Sequence, residues 1–393
     1  MYRTVFLKRG KEESLRRFHP WIFSGAINSM DEGIEEGEIV RVISHGGDFL
    51  AVGFYQIGSI AVRVLSFRDI VIDDTYWESR LQSAVEMRRS IGLLGNPDNT
   101  TLRLVHGEGD HLPGLVVDCY GETAVMQAHN VGIHLHRKAI CKALVNAMGG
   151  AVRNVYYKSE TTLPFKADVE HENGFLYGHS DSNITVENGL RFHVDWLKGQ
   201  KTGFFVDQRE NRALLEQYAC GKSVLNMFCY TGGFSVYAMR GGASLVHSVD
   251  SSAKAIELTN DNIAANFPGD QRHAAFCEDA FRFLDSHPDK YDLIILDPPA
   301  FAKHRSALHN ALKGYTRLNV KGMEKIRKGG LLFTFSCSQV VTKENFRNAV
   351  FTAAAQANRK VRILHQLHQP ADHPVNIYHP EGEYLKGLVL YVE

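Results

Sequence analysis

From about residue 191 onward, short apolar runs alternate with segments that have a helical period. The runs are SVLNMFC, LVHSVD, YDLIILDPP and LLFTFSC. They are almost continuously apolar, as strands are when helices cover both faces of their sheet. Alternation of such strands with helices predicts a parallel, doubly wound sheet over residues 191–393. In that fold class, ligands bind beyond the carboxyl ends of the strands, so the residues at strand ends are the first candidates for a site.

Two regions with different patterns precede this one. Residues 1–72 contain EIVRVIS, FLAVGFY and SIAVRVLSF, where apolar residues fall at nearly alternate positions, and we predict a small β-barrel. Residues 73–190 mix both patterns. DDTYWESRLQSAVEMRRSIGL has a helical period, and LPGLVVDCYGETAVMQA predicts a hairpin around Tyr120–Glu122. A second helix should end at Gly149–Gly150, so this region is predicted to be a small α+β domain.

Composition excludes several classes of protein. No apolar run is long enough to span a bilayer and the first residues lack the apolar core of a secretion signal, so we expect a cytoplasmic protein without a membrane partner. The six cysteines form no CxxC pair, and we expect neither a metal site nor a disulfide framework. The default interpretation of each cysteine is a small buried hydrophobe.

The formal net charge is zero, which gives no general attraction to nucleic acid. The first twenty residues are nevertheless rich in basic side chains, among them Lys8, Arg9, Arg16 and Arg17. Such a cluster is either a solvated surface or a set of phosphate contacts.

The first two strand ends carry a glycine turn and an acid. Gly232 and Gly233 lie in LNMFCYTGGFS, where a strand turns into a helix, and glycines there allow a ligand to approach the backbone. The pattern differs from GxGxxG, which disfavours a dinucleotide. Asp250 closes LVHSVD, and its carboxylate either accepts hydrogen bonds from a ribose or caps the next helix.

The next two strand ends carry acids as well. Asp279 in CEDAFRFL either contacts an adenine amino group or is a helix N-cap. Asp297 begins an Asp-Pro-Pro sequence whose prolines stiffen the chain, although a simple strand stop has the same sequence. The glycine turn and the acids in this order predict an S-adenosylmethionine-dependent methyltransferase.

The chain resembles the ribosomal RNA large subunit methyltransferase I family, whose members methylate C5 of a cytosine in 23S rRNA. The resemblance runs nearly end to end, through HPWIFSGAI, VHGEGDHLPGLVVDCYG, QKTGFFVDQRENR, LNMFCYTGGFS, DPPAF, FSCS and ADHPVNIYHPEGEYLKG. It implies a PUA-type barrel that touches RNA, a linking α+β domain and a Rossmann-like class I methyltransferase domain. It also implies S-adenosylmethionine as methyl donor, S-adenosylhomocysteine as product, and a homodimer by analogy. The implied partner is 23S rRNA, alone or in a large-subunit assembly intermediate.

The candidate residues follow from these motifs. Donor contacts are expected from Gln200, Lys201, Thr202, Phe205, Asp207, Gln208, Arg212, Asn226, Phe228, Tyr230, Thr231, Gly232, Gly233, Asp250, Ser251, Asp279, Asp297 and Pro298. For Arg209 and Arg212, the alternative is a salt bridge on a helix face. Substrate contacts are expected from Pro299, Phe301, Tyr315, Lys8, Arg9, Arg16 and Arg17. Phe301 and Tyr315 either stack on a flipped base or simply pack under a loop.

The expected mechanism depends on Cys337, which follows the strand LLFTFSC. C5 of cytosine is a poor nucleophile, and addition of a thiolate to C6 activates it. We therefore predict Cys337 as nucleophile and Asp297 as the group that hydrogen-bonds the base. The alternatives are an N7-guanine or amino-directed rRNA methyltransferase, which needs no thiol, and a non-catalytic RNA-binding assembly factor.

Overall fold

The computed structural model describes residues 2–164 and 172–393, which form two compact units. The first unit contains the described residues up to Gly189, together with Val194–Val206 and Ala371–Gly382. The second contains Leu190–His193, Asp207–Pro370 and Glu383–Glu393. Both units have hydrophobic cores of their own. Within the described residues, no helix is both long enough and apolar enough to cross a membrane.

The first unit contains two sheets and their helices. Its strands are β1 (Arg3–Leu7), β2 (Trp21–Phe23), β3 (Ile27–Met30), β4 (Ile39–Ile43), β5 (Phe49–Tyr55), β6 (Ile60–Ser66), β7 (Thr101–His106), β8 (Leu115–Tyr120), β9 (Thr123–Ala128), β10 (Asn154–Tyr157), β11 (Gly174–Tyr177) and β12 (Ile184–Glu187). Its helices are α1 (Glu13–Arg16), α2 (Asp74–Ser90), α3 (Val131–Leu135) and α4 (Arg137–Met148). One sheet has the order β2-β6-β5-β4-β1-β3, and the other has the order β11-β10-β9-β8-β7.

The predicted elements of this unit agree with the structure. Strands β8 and β9 form the predicted hairpin, in which Tyr120 pairs with Thr123. Helix α2 begins after Asp73, whose carboxylate accepts a hydrogen bond from the Tyr76 N–H at 3.1 Å. Helix α4 ends at Gly149, which has φ +58° and therefore adopts the left-handed conformation that glycine tolerates best.

A buried arginine organises the interior of the first unit. Arg88 on α2 is 0% exposed and forms a two-pronged ion pair with Asp110. The same guanidinium donates to the carbonyl oxygens of Arg103 at 2.9 Å and of Asp372 at 2.7 Å. These bonds fasten Ala371–Gly382 to the first unit, although that segment lies far along the chain.

The second unit contains eight strands, of which all but β13 form one large sheet. Its strands are β13 (Leu190–His193), β14 (Ser223–Met227), β15 (Leu245–Asp250), β16 (His273–Cys277), β17 (Tyr291–Leu296), β18 (Ile326–Ser336), β19 (Val361–Leu367) and β20 (Lys386–Val392). Its helices are α5 (Arg209–Tyr218), α6 (Gly233–Arg240), α7 (Ala253–Asn266), α8 (Ala280–Ser286), α9 (Leu308–Lys325) and α10 (Lys343–Gln356).

The sheet has the order β16-β15-β14-β17-β18-β20-β19, which confirms the doubly wound fold. Strands β14 to β18 run parallel, and β20 runs antiparallel to both of its neighbours. The chain order reverses between β14 and β17, so the carboxyl ends of these two strands flank the point where ligands bind in such sheets.

The start of β18 differs from the sequence prediction. The run LLFTFSC predicts a strand from Leu331, after the turn residues Gly329 and Gly330, but β18 already begins at Ile326. Ile326 pairs with Tyr291, and the next regular pair joins Leu331 to Leu293. The intervening residues form an irregularity in which Gly329 has φ +81°. Gly329 therefore has the backbone conformation of a turn residue, but pairing with β17 continues the strand past both glycines.

Candidate active site

The loop between β14 and α6 has an unusual backbone. Phe228 has φ +59° and Tyr230 has φ +48°, values that bulky side chains rarely adopt. Gly232 has φ +75° and immediately precedes α6. Strained conformations of this kind are concentrated at functional sites, where surrounding contacts hold them in place.

The glycines of this loop leave space for close packing. A Cβ atom on Gly232 would lie 2.7 Å from Cγ2 of Thr259, and one on Gly233 would lie 3.0 Å from Cδ of Arg212. Helix α6 begins at Gly233, and its first N–H groups have no partner within the helix. The loop thus combines closely packed backbone with free N–H groups at the start of α6, and its contact with the methyl donor stays a prediction.

Asp250 holds the loop from the neighbouring strand. Its carboxylate accepts hydrogen bonds from the Tyr230 N–H at 3.0 Å and the Ser252 N–H at 2.9 Å. The cap of α7 is Ser252, whose hydroxyl accepts from the Ala255 N–H, so the helix-cap alternative for Asp250 is wrong. Contact of Asp250 and the adjacent exposed Ser251 with a ribose stays a prediction.

Three other predicted donor contacts have structural partners. Asp279 is exposed and caps α8 by accepting from the Arg282 N–H at 3.0 Å. Asn226 is buried on β14 and donates to the Ser235 hydroxyl of α6 at 2.9 Å. The carbonyl oxygen of Thr231 accepts from the Asn262 side chain at 2.8 Å. These bonds fix helices around the loop and leave direct donor contacts as predictions.

Asp297 is oriented by a chain of side-chain amides. Gln208 donates to its Oδ2 at 3.0 Å, and Asn211 donates to Oε1 of Gln208 at 2.6 Å. Gln208 and Asn211 are both buried, whereas Asp297 is half-buried at the end of β17. The next residue, Pro298, is buried and Pro299 is exposed, so the carboxylate stands between the core and the surface.

The remaining predicted contacts from α5 and the segment before it are buried. Asp207 accepts a hydrogen bond from the Tyr384 hydroxyl at 2.7 Å. The guanidinium of Arg212 lies 5.9 Å from the ring centroid of Tyr237. Arg209 and Arg212 are 2% and 3% exposed, so α5 directs both toward the interior of the unit.

Cys337 follows β18 at the same sheet edge as Asp297. Strands β17 and β18 are parallel and adjacent, with Leu296 beside Thr334, so both chains leave the sheet on the same side. Cys337 is half-buried between the buried residues Ser336 and Ser338. The Ser338 hydroxyl donates to the Ala302 carbonyl oxygen, which ties the segment after the cysteine to the segment after the two prolines.

Tyr315 on α9 lies beneath this edge. It is 0% exposed, accepts a hydrogen bond from the Ser336 hydroxyl at 2.9 Å, and packs 4.6 Å from the Phe301 ring. Burial raises the pKa of Tyr315 to about 12, and the charges of Cys337 and Asp297 act in the same direction. Both groups are therefore near this ring. The structure favours the packing alternative for Tyr315, whereas stacking of the half-buried Phe301 on a base stays a prediction.

Comparisons with known proteins agree with this geometry. Residues 5–67 match the PUA-like domain family, and residues 169–378 match the S-adenosylmethionine-dependent methyltransferase family. Proteins named ribosomal RNA large subunit methyltransferase I from Shewanella denitrificans and Tolumonas auensis are 38% and 39% identical to this chain, over 99% of each sequence. The chain belongs to the ribosomal RNA large subunit methyltransferase I family.

Solved structures support the same assignment. A protein from Streptococcus mutans assigned as a SAM-dependent methyltransferase has a TM-score of 0.85 and 25% identity, with 99% of both chains covered. A second structure is that of a protein assigned as a methyltransferase and solved in complex with SAH. It has a TM-score of 0.86 at the same identity and coverage. This family member therefore uses S-adenosylmethionine as its methyl donor.

Four predicted donor contacts lie in the first unit, within Val194–Val206. Gln200 and Lys201 are exposed, and the Lys201 ammonium lies 5.0 Å from the Phe205 ring centroid. Thr202 is buried and donates to Asp118 at 2.6 Å, with the Tyr120 hydroxyl 3.0 Å away. Asp118 also pairs with Arg103, so Thr202 belongs to a buried polar network of its unit.

The predicted basic contacts are also in the first unit. Lys8, Arg9, Arg16 and Arg17 are all exposed. Arg16 pairs with Asp48 at 3.0 Å, and Arg17 lies 3.9 Å from Glu13. Such exposed ion pairs are weak, and a phosphate can displace the acidic partners. RNA contact by these residues stays a prediction.

The other cysteines separate into two groups. Cys119, Cys141 and Cys229 are buried as expected, and burial raises the pKa of Cys119 and Cys229 to about 12 and that of Cys141 to about 11. The default interpretation is wrong for Cys220 and Cys277, which are exposed. Cys220 lies in the turn after α5 and Cys277 ends the edge strand β16, so neither position is covered by neighbouring elements.

Sequence reasoning missed several residues around the thiol. Lys386 is buried and donates to the Ser338 carbonyl oxygen at 2.6 Å, and Tyr384 reaches Asp207. Both belong to the string EGEYLKG, to which no role could be given before the position of β20 was known. Elsewhere in the second unit, His247, His287 and Asp289 place one possible ligand atom each within 4.8 Å of one another.

Proposed function

We propose that this protein transfers a methyl group from S-adenosylmethionine to C5 of a cytosine in 23S rRNA. Its relatives over the full length are named ribosomal RNA large subunit methyltransferase I, which supports ribosomal RNA as substrate. The observation that carries the cytosine-C5 assignment is the thiol of Cys337 at the same sheet edge as Asp297. Methylation at a guanine nitrogen or an exocyclic amine does not require a nucleophilic thiol.

The thiolate of Cys337 adds to C6 of the cytosine and forms a sulfur–carbon bond. The electron pair of the C5–C6 double bond shifts to form a C4–C5 double bond, the C4–N3 pair moves to N3, and the resulting enamine is nucleophilic at C5. C5 attacks the methyl group that S-adenosylmethionine would supply, so that the C5–methyl bond forms, the methyl–sulfur bond breaks, and S-adenosylhomocysteine leaves. Transfer of the C5 proton to water or to a nearby polar group then re-forms the C5–C6 double bond, the sulfur–carbon bond breaks, and the Cys337 thiolate leaves.

Asp297 has a place in the same reaction. Its carboxylate accepts hydrogen bonds from the exocyclic amine and from a protonated N3, and a proton held on N3 lets the ring take up the electron pair that the thiolate brings without a net negative charge on the ring. The Gln208 amide already occupies Oδ2 at 3.0 Å and holds the carboxylate in one orientation. A fixed acceptor needs no reorganisation during the reaction, which is where electrostatic stabilisation is most effective.

The other parts of the chain complete the proposal. We assign residues 1–72 as a PUA-like RNA-binding barrel, 73–190 as a linking domain and 191–393 as the methyltransferase domain. The exposed basic residues Lys8, Arg9, Arg16 and Arg17 contact RNA phosphates. The substrate is 23S rRNA or a large-subunit assembly intermediate, the protein acts in the cytoplasm, and by analogy it forms a homodimer.

The test is methyl transfer from labelled S-adenosylmethionine to 23S rRNA that lacks the modification. Wild type is compared with Cys337→Ala and with Cys277→Ala, a matched control because Cys277 is the exposed cysteine at another strand end. We expect Cys337→Ala to lose at least a thousandfold in rate and Cys277→Ala to retain the wild-type rate. Full activity of Cys337→Ala would exclude the covalent mechanism.

Mass mapping of the product distinguishes the alternatives. A methyl group on C5 of cytosine supports the proposal, whereas one on guanine or on an exocyclic nitrogen assigns the protein to another branch. RNA binding without any affinity for S-adenosylhomocysteine would instead indicate a non-catalytic assembly factor.

A further inference from the structure

The last strand of the second unit brings a lysine to the edge that carries Cys337. Strand β20 runs antiparallel to β18, and its first residue, Lys386, pairs with Ser336, the residue before the cysteine. Lys386 is only 6% exposed. Its ammonium donates to the carbonyl oxygen of Ser338, the residue after the cysteine, at 2.6 Å. Lys386 is thus joined to the chain on both sides of Cys337, through its backbone to Ser336 and through its ammonium to Ser338.

A buried ammonium group is costly unless an anion or strong acceptors compensate for lost water. Burial lowers the pKa of Lys386 to about 8, and the charge of Cys337 acts against this by favouring the protonated lysine. Pairwise electrostatic coupling is reciprocal, so an ammonium that is favoured by a thiolate favours that thiolate by the same free energy. The two groups therefore act as a coupled pair.

The other charged groups near this pair largely offset one another. Lys343 on α10 opposes the charge of Lys386, and Glu383 favours it. Lys343 and Glu383 form an ion pair of 2.7 Å with both side chains more than half exposed, so solvent screens their effect. On the side of α9, Tyr315 stays neutral because burial raises its pKa to about 12, and Asp297 after β17 also interacts with Tyr315. Among the described residues, Lys386 is therefore the buried lysine whose charge couples to that of Cys337.

We propose that Lys386 is a positioning residue whose ammonium group stabilises the thiolate form of Cys337. The inference rests on the proposed role of Cys337 as the attacking nucleophile. No bond to Lys386 forms or breaks; its positive charge raises the fraction of Cys337 that is ionised and ready to add to C6. The hydrogen bond to Ser338 holds the charge beside the sulfur, which a solvent-exposed lysine could not do.

The experiment measures the ionisation of Cys337 directly. Iodoacetamide alkylates the thiolate, and the rate of Cys337 modification is followed by mass spectrometry between pH 6 and 10, without RNA or methyl donor. The exposed cysteines are first replaced in a Cys220→Ser, Cys277→Ser background, so that the reagent is not consumed elsewhere. Circular dichroism and thermal unfolding establish that each variant is folded.

Three substitutions of Lys386 separate charge from hydrogen bonding. Lys386→Met removes both, Lys386→Gln removes the charge but keeps a donor for Ser338, and Lys386→Arg keeps the charge. We expect the midpoint of the alkylation profile to rise by about one pH unit or more in the Met and Gln variants, as loss of a close opposite charge does. Lys386→Arg should stay within about half a unit of wild type. Lys343→Gln, a change of the exposed neighbour, should leave the profile unchanged.

Superimposable profiles for wild type and Lys386→Gln would overturn the proposal. A rise in Lys386→Met alone would assign Lys386 a structural role through its hydrogen bond, and would overturn it too. If Lys386→Met does not fold, the Gln and Arg pair still decides the question. The result is independent of the methyl-transfer assay: should Cys337→Ala retain activity, the proposed function fails, although the coupling measured by alkylation is unaffected.

Discussion

Replacing Gly232 by alanine tests whether the loop after β14 is shaped by close packing. At φ +75°, an alanine raises the free energy of the folded state by roughly 1–2 kcal/mol relative to its preferred conformations. About 0.4–1 kcal/mol of this is offset because alanine also reduces the conformational entropy of the unfolded chain. The new Cβ would also lie 2.7 Å from Cγ2 of Thr259. Overpacking of that kind costs about 1–3 kcal/mol. The total is on the order of 2–4 kcal/mol.

Gly221 provides a matched control. It has φ +70°, but a Cβ atom there would meet nothing within 4 Å, so Gly221→Ala carries only the backbone cost of about 1 kcal/mol. The additional 1–3 kcal/mol in Gly232→Ala must either destabilise the unit or move the loop. Because 1.4 kcal/mol corresponds to a factor of ten in affinity, we expect the Kd for S-adenosylhomocysteine to rise about tenfold or more in Gly232→Ala and less than about twofold in Gly221→Ala.

Calorimetric titration with S-adenosylhomocysteine and the midpoint of thermal unfolding measure the two effects. The double variant Gly232→Ala, Thr259→Ser should recover part of the loss, because it removes Cγ2 and keeps the hydroxyl that donates to the Tyr230 carbonyl oxygen at 2.9 Å. If Gly232→Ala and Gly221→Ala bind and unfold alike, close packing at Gly232 does not shape the donor site, and this reasoning is refuted.

Three further predictions concern other parts of the molecule. Arg88→Met should destabilise the first unit by about 3–5 kcal/mol, since it leaves the buried Asp110 carboxylate without its cation, whereas the exposed Arg89→Met should change stability by less than about 0.5 kcal/mol; thermal unfolding compares them. Burial lowers the pKa of His273 to about 4 from 6.5, so as the pH falls the imidazole is protonated in the unfolded state before it is protonated in the folded state. The contribution of the neutral His273 to stability is therefore complete above pH 6.5 and is lost as the pH falls toward 4. Unfolding midpoints measured over that range should therefore fall less steeply in His273→Gln than in wild type. Asp250→Ala should weaken S-adenosylhomocysteine binding at least tenfold, because the carboxylate holds the Tyr230 N–H, and unchanged affinity would remove Asp250 from the donor site.

The elements with a strong local pattern could be predicted from the sequence. LVHSVD is β15 residue for residue, and FLAVGFY is β5, because continuous apolar runs bounded by turn residues form strands in almost any context. The strand ends followed from the same patterns, so Gly232, Asp250 and Asp297 were found without any structural information. Parallel neighbours then place these ends at one edge of the sheet.

The contacts between distant segments could not be predicted. Whether Asp250 caps a helix or holds a loop depends on where Tyr230 lies, and periodicity does not contain that information. The start of β18 was wrong for a related reason: two glycines indicate a turn, but pairing of Ile326 with Tyr291 continues the strand past them.

The position of Lys386 shows how the antiparallel strand completes the candidate site. Parallel strands can contribute only the residues that follow them to the edge where ligands bind. An antiparallel strand contributes the residue with which it begins, and β20 begins with Lys386 beside Ser336. The next residue must be small, because a Cβ atom on Gly387 would lie 2.6 Å from the ring of Phe335. Thus Gly387 allows β20 to approach β18 closely, and this approach brings Lys386 beside the segment that carries Cys337, which no local sequence pattern could have predicted.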